Sequence, residues 1–109
     1  MRRVIIESPY AGDVDRNLRY LRACMADSLK HGEAPYASHA LYTQPGVLDD
    51  AIPEERAQGI AAGFAWGEVA DVRAFYVDLG YSGGMRLAEA EKRRDLPVEI
   101  RRLGGEWAT

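Results

Sequence analysis

The stretch "DLGYSGGM", Asp78 to Met85, gathers an acid, a hydroxyl and glycines that let a ligand approach the backbone. A helix starting near Gly83 leaves its first N–H groups without partners inside the helix, and they point outward with the positive end of the helix dipole. That turn, Ser82-Gly83-Gly84, suits phosphate or another anion, with the Ser82 hydroxyl as one more donor. The same three residues also make a plain cap and turn. In the binding reading Asp78 faces sugar hydroxyls, because a carboxylate accepts hydrogen bonds and repels phosphate. A nucleoside monophosphate is then expected to bind more tightly than its nucleoside.

Two further segments carry chemistry of the same kind, "ESPYAG" from Glu7 and "ASHALYTQ" from Ala37. His39 can bond a sugar hydroxyl or shuttle a proton, since an unperturbed imidazole titrates near neutrality; it can equally be a structural loop histidine. Tyr10, Tyr36 and Tyr42 can stack on a flat ring with their hydroxyls in water, although for Tyr36 core packing is preferred. Asp49 and Asp50 precede the "PEER" segment, where they cap a helix or pair with Arg56 or a ribose hydroxyl. A paired-carboxylate glycosidase is compatible with the composition, but no spacing in the sequence sets the separation that chemistry needs. His31 stands at a helix end, where its partial charge suits the dipole. Two histidines so placed make no metal site, and no cofactor is expected.

The elements that must hold these loops follow from the pattern. "RVIIES" reads as a buried strand, and "PYAG" breaks it. Leu18, Leu21, Met25 and Leu29 recur at helical spacing, with Asp13 as the N-cap and Gly32 as the stop. "APYASHALYTQPGVLDD" predicts a short strand and then a long loop broken by Pro45. "PEERAQGIAAGFAWGEVA" opens with proline and two acids, a favourable first helical turn, and its glycines allow close packing. "VRAFYVD" is a central strand, "GMRLAEAEKRR" a helix and "LPVEIRRL" a last strand. Strands alternating with helices predict one α/β domain over residues 1–109, with a mostly parallel sheet of four to five strands and helices on both faces. Such sheets bind ligands at the carboxyl ends of their strands, where all three loops fall.

Composition narrows the partners. The 109 residues carry 14 Lys and Arg against 17 Asp and Glu, a net charge of −3, which argues against nucleic acid as the main partner. The runs Lys92-Arg93-Arg94 and Arg101-Arg102 read as solvated faces. The single cysteine, Cys24, rules out an internal disulfide and a cysteine-based zinc site and reads as a small buried hydrophobe. No membrane-length apolar segment or signal peptide is read, so no membrane partner and a cytoplasmic location are expected.

The blocks "ESPYAGD", Asn17, "APYASHALYTQPGVLDDAIPEERAQGI" and "DLGYSGGM" resemble the small proteins of the nucleoside 2-deoxyribosyltransferase-like group, with its DUF4406-type and DUF7768-type branches. The resemblance runs from Val4 to about Arg101. It implies a three-layer Rossmann-like or flavodoxin-like fold, a homo-oligomer of at least two chains, and a nucleoside or nucleotide whose N-glycosidic bond is cleaved or whose sugar is transferred. The binding residues it implies are Ser8, Pro9, Tyr10, Asn17, His39, Arg56, Ser82, Gly83, Gly84 and Met85. It also implies a nucleophilic glutamate in the first turn of the helix after the glycines. Here Arg86, Leu87 and Ala88 stand in that place, and Glu89 comes later, turned by about 100° per residue from where it is needed. Asp78 is therefore the leading carboxylate, with Asp50 as another that could activate water and Glu89 as a poor substitute. The alternative is a non-catalytic nucleotide-binding or sensing protein that keeps the pocket. Trp66 is the expected centre of the contact between copies, with burial inside one chain as the alternative.

Overall fold

A computed structural model describes residues 1–90 and 96–108. The basic run Lys92-Arg93-Arg94 lies outside the described residues. The chain runs β1 (Arg3–Glu7), α1 (Val14–Lys30), β2 (Ala34–Tyr36), α2 (Ser38–Leu41), α3 (Pro53–Gly67), β3 (Val72–Tyr76), α4 (Gly83–Ala90) and β4 (Val98–Arg101), and then a 3-10 turn, Gly105–Ala108. All three strand pairings are parallel, in the order β2-β1-β3-β4. The fold is thus α/β, with a four-stranded parallel sheet between helices, as the alternation of elements predicts. From β1 the chain goes to one side to make β2 and returns to the other to make β3. The order therefore switches between the two central strands, where open α/β sheets leave a crevice.

Alternation along the strands feeds two cores. Val4, Ile6, Val72, Ala74 and Tyr76 face α1 and meet Tyr20, Leu21 and Cys24. Phe75 and Val77 point the other way, to Met85 and Ala88 of α4 and Phe64 of α3. Every residue of β3 is buried, as expected of a parallel strand covered on both faces. Tyr20, Leu21, Phe75, Tyr76 and Met85 are almost wholly enclosed, each worth about 1.5–3 kcal/mol in apolar burial.

Helix α1 begins and ends where its sequence predicts. Asp13 is the N-cap and its carboxylate accepts from the Arg16 amide at 3.2 Å; Gly32 follows the last turn at φ 75°, a left-handed conformation that glycine adopts without strain. Its buried stripe, however, is Asn17, Tyr20, Leu21, Cys24 and Ser28, and Leu29 is 58% exposed. Leu21 lies on this face, with Leu18 and Met25 packed at its margin, so only Leu29 departs from the expected stripe, which is centred on Tyr20 and Cys24. The segment after β2 is not all loop either, since Ser38–Leu41 forms one helical turn. Arg101 departs from the solvated reading: its guanidinium is 14% exposed and makes two 2.8 Å bonds to Glu33, while Arg102 stays exposed.

Helix α3 carries glycines four residues apart on the side that packs. A Cβ at Gly59 would lie 3.4 Å from Leu48 Cδ1, one at Gly63 3.6 Å from Ser38 Cβ, and one at Gly67 only 2.9 Å from a terminal nitrogen of Arg73. The helix can therefore sit close over α2, the loop after it and a buried arginine. Trp107 packs edge-on against Tyr20, with ring centroids 4.8 Å apart. Trp66 remains half exposed, donating its indole N–H to the Tyr42 hydroxyl at 3.1 Å.

Candidate functional site

The carboxyl ends of β1 and β2 open into a small cleft, with a cavity of about 50 Å³, roofed by α3 and α4. β1 and the residue after it supply Ile5, Glu7 and Ser8; β2 and α2 supply Tyr36, Ser38 and His39. Arg56, Ile60, Gly63 and Phe64 come from α3, and Gly84, Leu87 and Ala88 from α4. A second, smaller chamber, with a cavity of about 20 Å³, shares Ser38, His39, Arg56 and Ile60 and continues to Thr43, Asp50 and Glu55.

Glu7 is the acid of the first chamber. Strand alternation turns it to the same side as Ile5, under the helices, and its side chain is one-fifth exposed. Burial pushes its carboxyl up to about 7, against the opposing pull of the Arg73 guanidinium. Arg73 Nε lies 3.4 Å from Glu7 Oε2. At neutral pH this carboxyl is divided between acid and carboxylate, the condition under which one group can both take and return a proton.

His39 stands between the two chambers, stacked on Tyr10 with centroids 4.7 Å apart and planes 29° apart. Burial holds its pKa below the usual histidine value, with Asp50 pulling it up and Arg56 pushing it down. It is therefore neutral at physiological pH, with one ring nitrogen donating and the other accepting. The Thr43 hydroxyl donates to the His39 carbonyl, which ties the loop after α2 to the turn that carries the imidazole. Arg56 Nε approaches Asp50 Oδ2 at 3.9 Å, so the pairing expected from the sequence forms at the edge of the second chamber.

Of the residues expected at the site, Ser8, His39, Arg56 and Gly84 line the first chamber, Asp50 the second, and Tyr10 covers His39 from outside. Pro9 is buried beneath the loop. Asn17 supports the loop from α1, donating from Nδ2 to the carbonyls of Tyr10 at 2.8 Å and Ala11 at 3.0 Å. Met85 is a core residue, 1% exposed, and Glu89 is exposed on α4 away from the chamber linings.

Asp78 has a different task from the one expected of it. It lies on the α1 side, where its carboxylate accepts from the Tyr20 hydroxyl at 2.5 Å and from the amides of Leu103 at 2.9 Å and Gly104 at 3.0 Å. Burial alone would raise its pKa, but these donors outweigh it and hold the group below the usual aspartate value. A carboxylate with three donors is an anchor for the chain's last segment, and it lines neither chamber.

Ser82 caps α4: its Oγ accepts from the Met85 amide at 3.2 Å. Gly83 faces open space, and only Gly84 of the turn reaches the cleft. The expected anion cradle at Ser82-Gly83-Gly84 is thus reduced to one glycine on the cleft wall and a cap behind it.

Sequence reading missed Glu7, Ser38 and Phe64 as site residues. Glu7 was legible in principle, as an acid at the carboxyl end of the first strand and in step with Ile5. Phe64 carried no local signal, since only the approach of α3 to α4 brings it over the sheet. Among the described residues no group of three or more His, Cys, Asp or Glu is placed to hold a metal ion, and no helix is long and apolar enough to cross a membrane.

Comparison with known proteins gives a family but names no activity. The family described as "Domain of unknown function (DUF7768)" matches residues 2–102, and the chain belongs to that family. Neither the curated proteins nor the solved structures gave a match.

Proposed function

From a DUF7768 chain with this cleft, we propose a nucleoside or nucleotide hydrolase that breaks the N-glycosidic bond, with Glu7 as its acid–base group. The observation that carries the reading is a buried carboxyl, pushed up to about 7, that lines a cleft at the carboxyl end of β1 beside Ser8, Ser38 and His39. The rest of the lining suits the same ligand. Tyr36 and Phe64 offer flat apolar surface to a base, and Ser8, Ser38 and neutral His39 offer partners to sugar hydroxyls. As carboxylate, Glu7 takes a proton from water while the water oxygen bonds to the anomeric carbon. The C–N bond breaks with its electron pair on the base nitrogen, and the proton held by Glu7 passes to that nitrogen. The resemblance to the deoxyribosyltransferase-like group supports the substrate class. Assembly belongs to the same proposal, with half-exposed Trp66 beside half-exposed Val69 as the face for a second copy.

A second reading, binding without turnover, is favoured by one feature: Leu87 and Ala88, which with Arg86 stand where the resemblance implies a glutamate on α4, line the cleft without a carboxylate. One panel of nucleosides and monophosphates, read by thermal shift and by release of free base, separates the two. Base release that falls about 10²–10⁴-fold in Glu7→Gln, with binding kept, is the expected result. Gly84→Leu fills the cleft wall and is expected to abolish the thermal shift without unfolding the chain. Thermal shift without base release selects the second reading, and no shift with any member overturns both.

A further inference from the structure

Arg73 is a buried charge that the proposed reaction does not use directly. It sits on β3, 4% exposed, and it has been led under the helices rather than to solvent. Its Nη1 donates to the Ala88 carbonyl at 2.9 Å, and its guanidinium carbon stands 5.7 Å from the centre of the Phe64 ring. On the α3 side the absence of a side chain at Gly67 makes room for its Nη2, which a Cβ would approach to 2.9 Å. Two contacts, one on each helix, and the space at Gly67 therefore hold the guanidinium in one place. What remains is Nε, buried and making no hydrogen bond among the described residues, 3.4 Å from Glu7 Oε2.

We infer that Arg73 is a positioning residue for Glu7: fixed from behind by α3 and α4, it draws Oε2 toward the sheet, leaves Oε1 for the cleft and keeps the acid able to ionise. A charge 3.4 Å away under cover of protein is screened little by solvent, so it favours the carboxylate strongly. Among the described residues, the other titratable or charged groups on the cleft lining are Tyr36 from β2, His39 from α2 and Arg56 from α3, while α4 presents Gly84, Leu87 and Ala88. Arg56 has Asp50 as its own partner, and His39 is neutral. Arg73 is thus the cation committed to Glu7, and its loss leaves burial unopposed.

This inference rests on the reading of the cleft as the reaction site, but its test needs no substrate. Carbon-13 NMR of the ligand-free protein follows the Glu7 carboxyl through pH, assigned by the signal that disappears in Glu7→Gln. The midpoint is expected near 7 in the native chain and higher by about one pH unit or more in Arg73→Met. Arg73→Lys keeps the charge and is expected to return most of the shift. Gly67→Ala, which displaces the guanidinium but keeps it, is expected to give a smaller rise. In whichever nucleoside shows base release, the acid limb of the pH profile moves with the NMR midpoint. A structural arginine would change the denaturation midpoint and leave the titration where it was. An unchanged Glu7 midpoint in folded Arg73→Met overturns the inference; if that variant does not fold, an unchanged midpoint in Gly67→Ala does so. Native protein that releases no base from any substrate sinks the proposed reaction and leaves the titration result standing.

Discussion

Two acids close the two central strands of the sheet, and they do opposite things. Glu7 ends β1 and turns toward α3 and α4; Asp78 follows β3 by two residues and turns toward α1. Asp78 accepts from one hydroxyl and two amides, so its charge is stabilised and its proton affinity falls. Among the described residues Glu7 has one paired cation, which makes no hydrogen bond to it, and a largely dry surround, so its proton affinity rises. Distance from the sheet edge does not distinguish them, and neither does residue type. The number of donors does. An acid with its acceptor capacity filled by the protein is an anchor, whereas one left short of donors keeps its chemistry for a ligand.

The sharpest way to break this comparison is to remove the anchor. Asp78→Ala leaves the Tyr20 hydroxyl and the amides of Leu103 and Gly104 without their acceptor, with Tyr20 fully buried. A loss of about 3 kcal/mol in urea unfolding is expected, with the turn at residues 105–108 released first. A loss near zero would mean that Asp78 is free for other work.

Stability against pH should separate the acids next. Glu7 rises from the ordinary 4.5 to about 7 on folding, so the folded chain binds more protons than the unfolded chain between those values. Its contribution is therefore complete below pH 4.5 and lost as pH rises through 7, about 3 kcal/mol in all. Asp78 has the opposite sign: its pKa falls on folding, so its contribution is present above the ordinary aspartate value and lost on acidification. Native minus Glu7→Gln urea midpoints, taken from pH 4 to 8, isolate the first slope. A flat difference would place Glu7 in contact with water like any surface acid.

The smallest expected effect concerns the turn. Ser82→Ala removes the cap of α4 and is expected to cost about 1 kcal/mol. Because Oγ accepts from Met85 and does not donate toward the cleft, the ratio of nucleoside to monophosphate affinity should not change in calorimetry. A lost preference for the monophosphate would restore the anion-binding role expected from the sequence.

Local patterns determined much of this protein. β-Branched runs, the Asp13 cap, Gly32 and the Pro-Glu-Glu start of α3 are decided within a few residues, because capping, turn geometry and alternation are short-range effects. Their order along the chain then carried the parallel α/β architecture. The same reasoning brought Ser8, His39 and Gly84 to one edge of the sheet, since loops after parallel strands share that edge. It could not say which acid faced the cleft. Asp78 was drawn away by Tyr20 and by amides 25 and 26 residues further on, and Glu7 was left beside Arg73 of another strand. Those partners meet only when the sheet assembles and the helices close over it. A carboxyl group's proton affinity depends on donors and burial that no neighbouring residue in the sequence supplies, so the tertiary structure alone decided which acid became the anchor and which remained reactive.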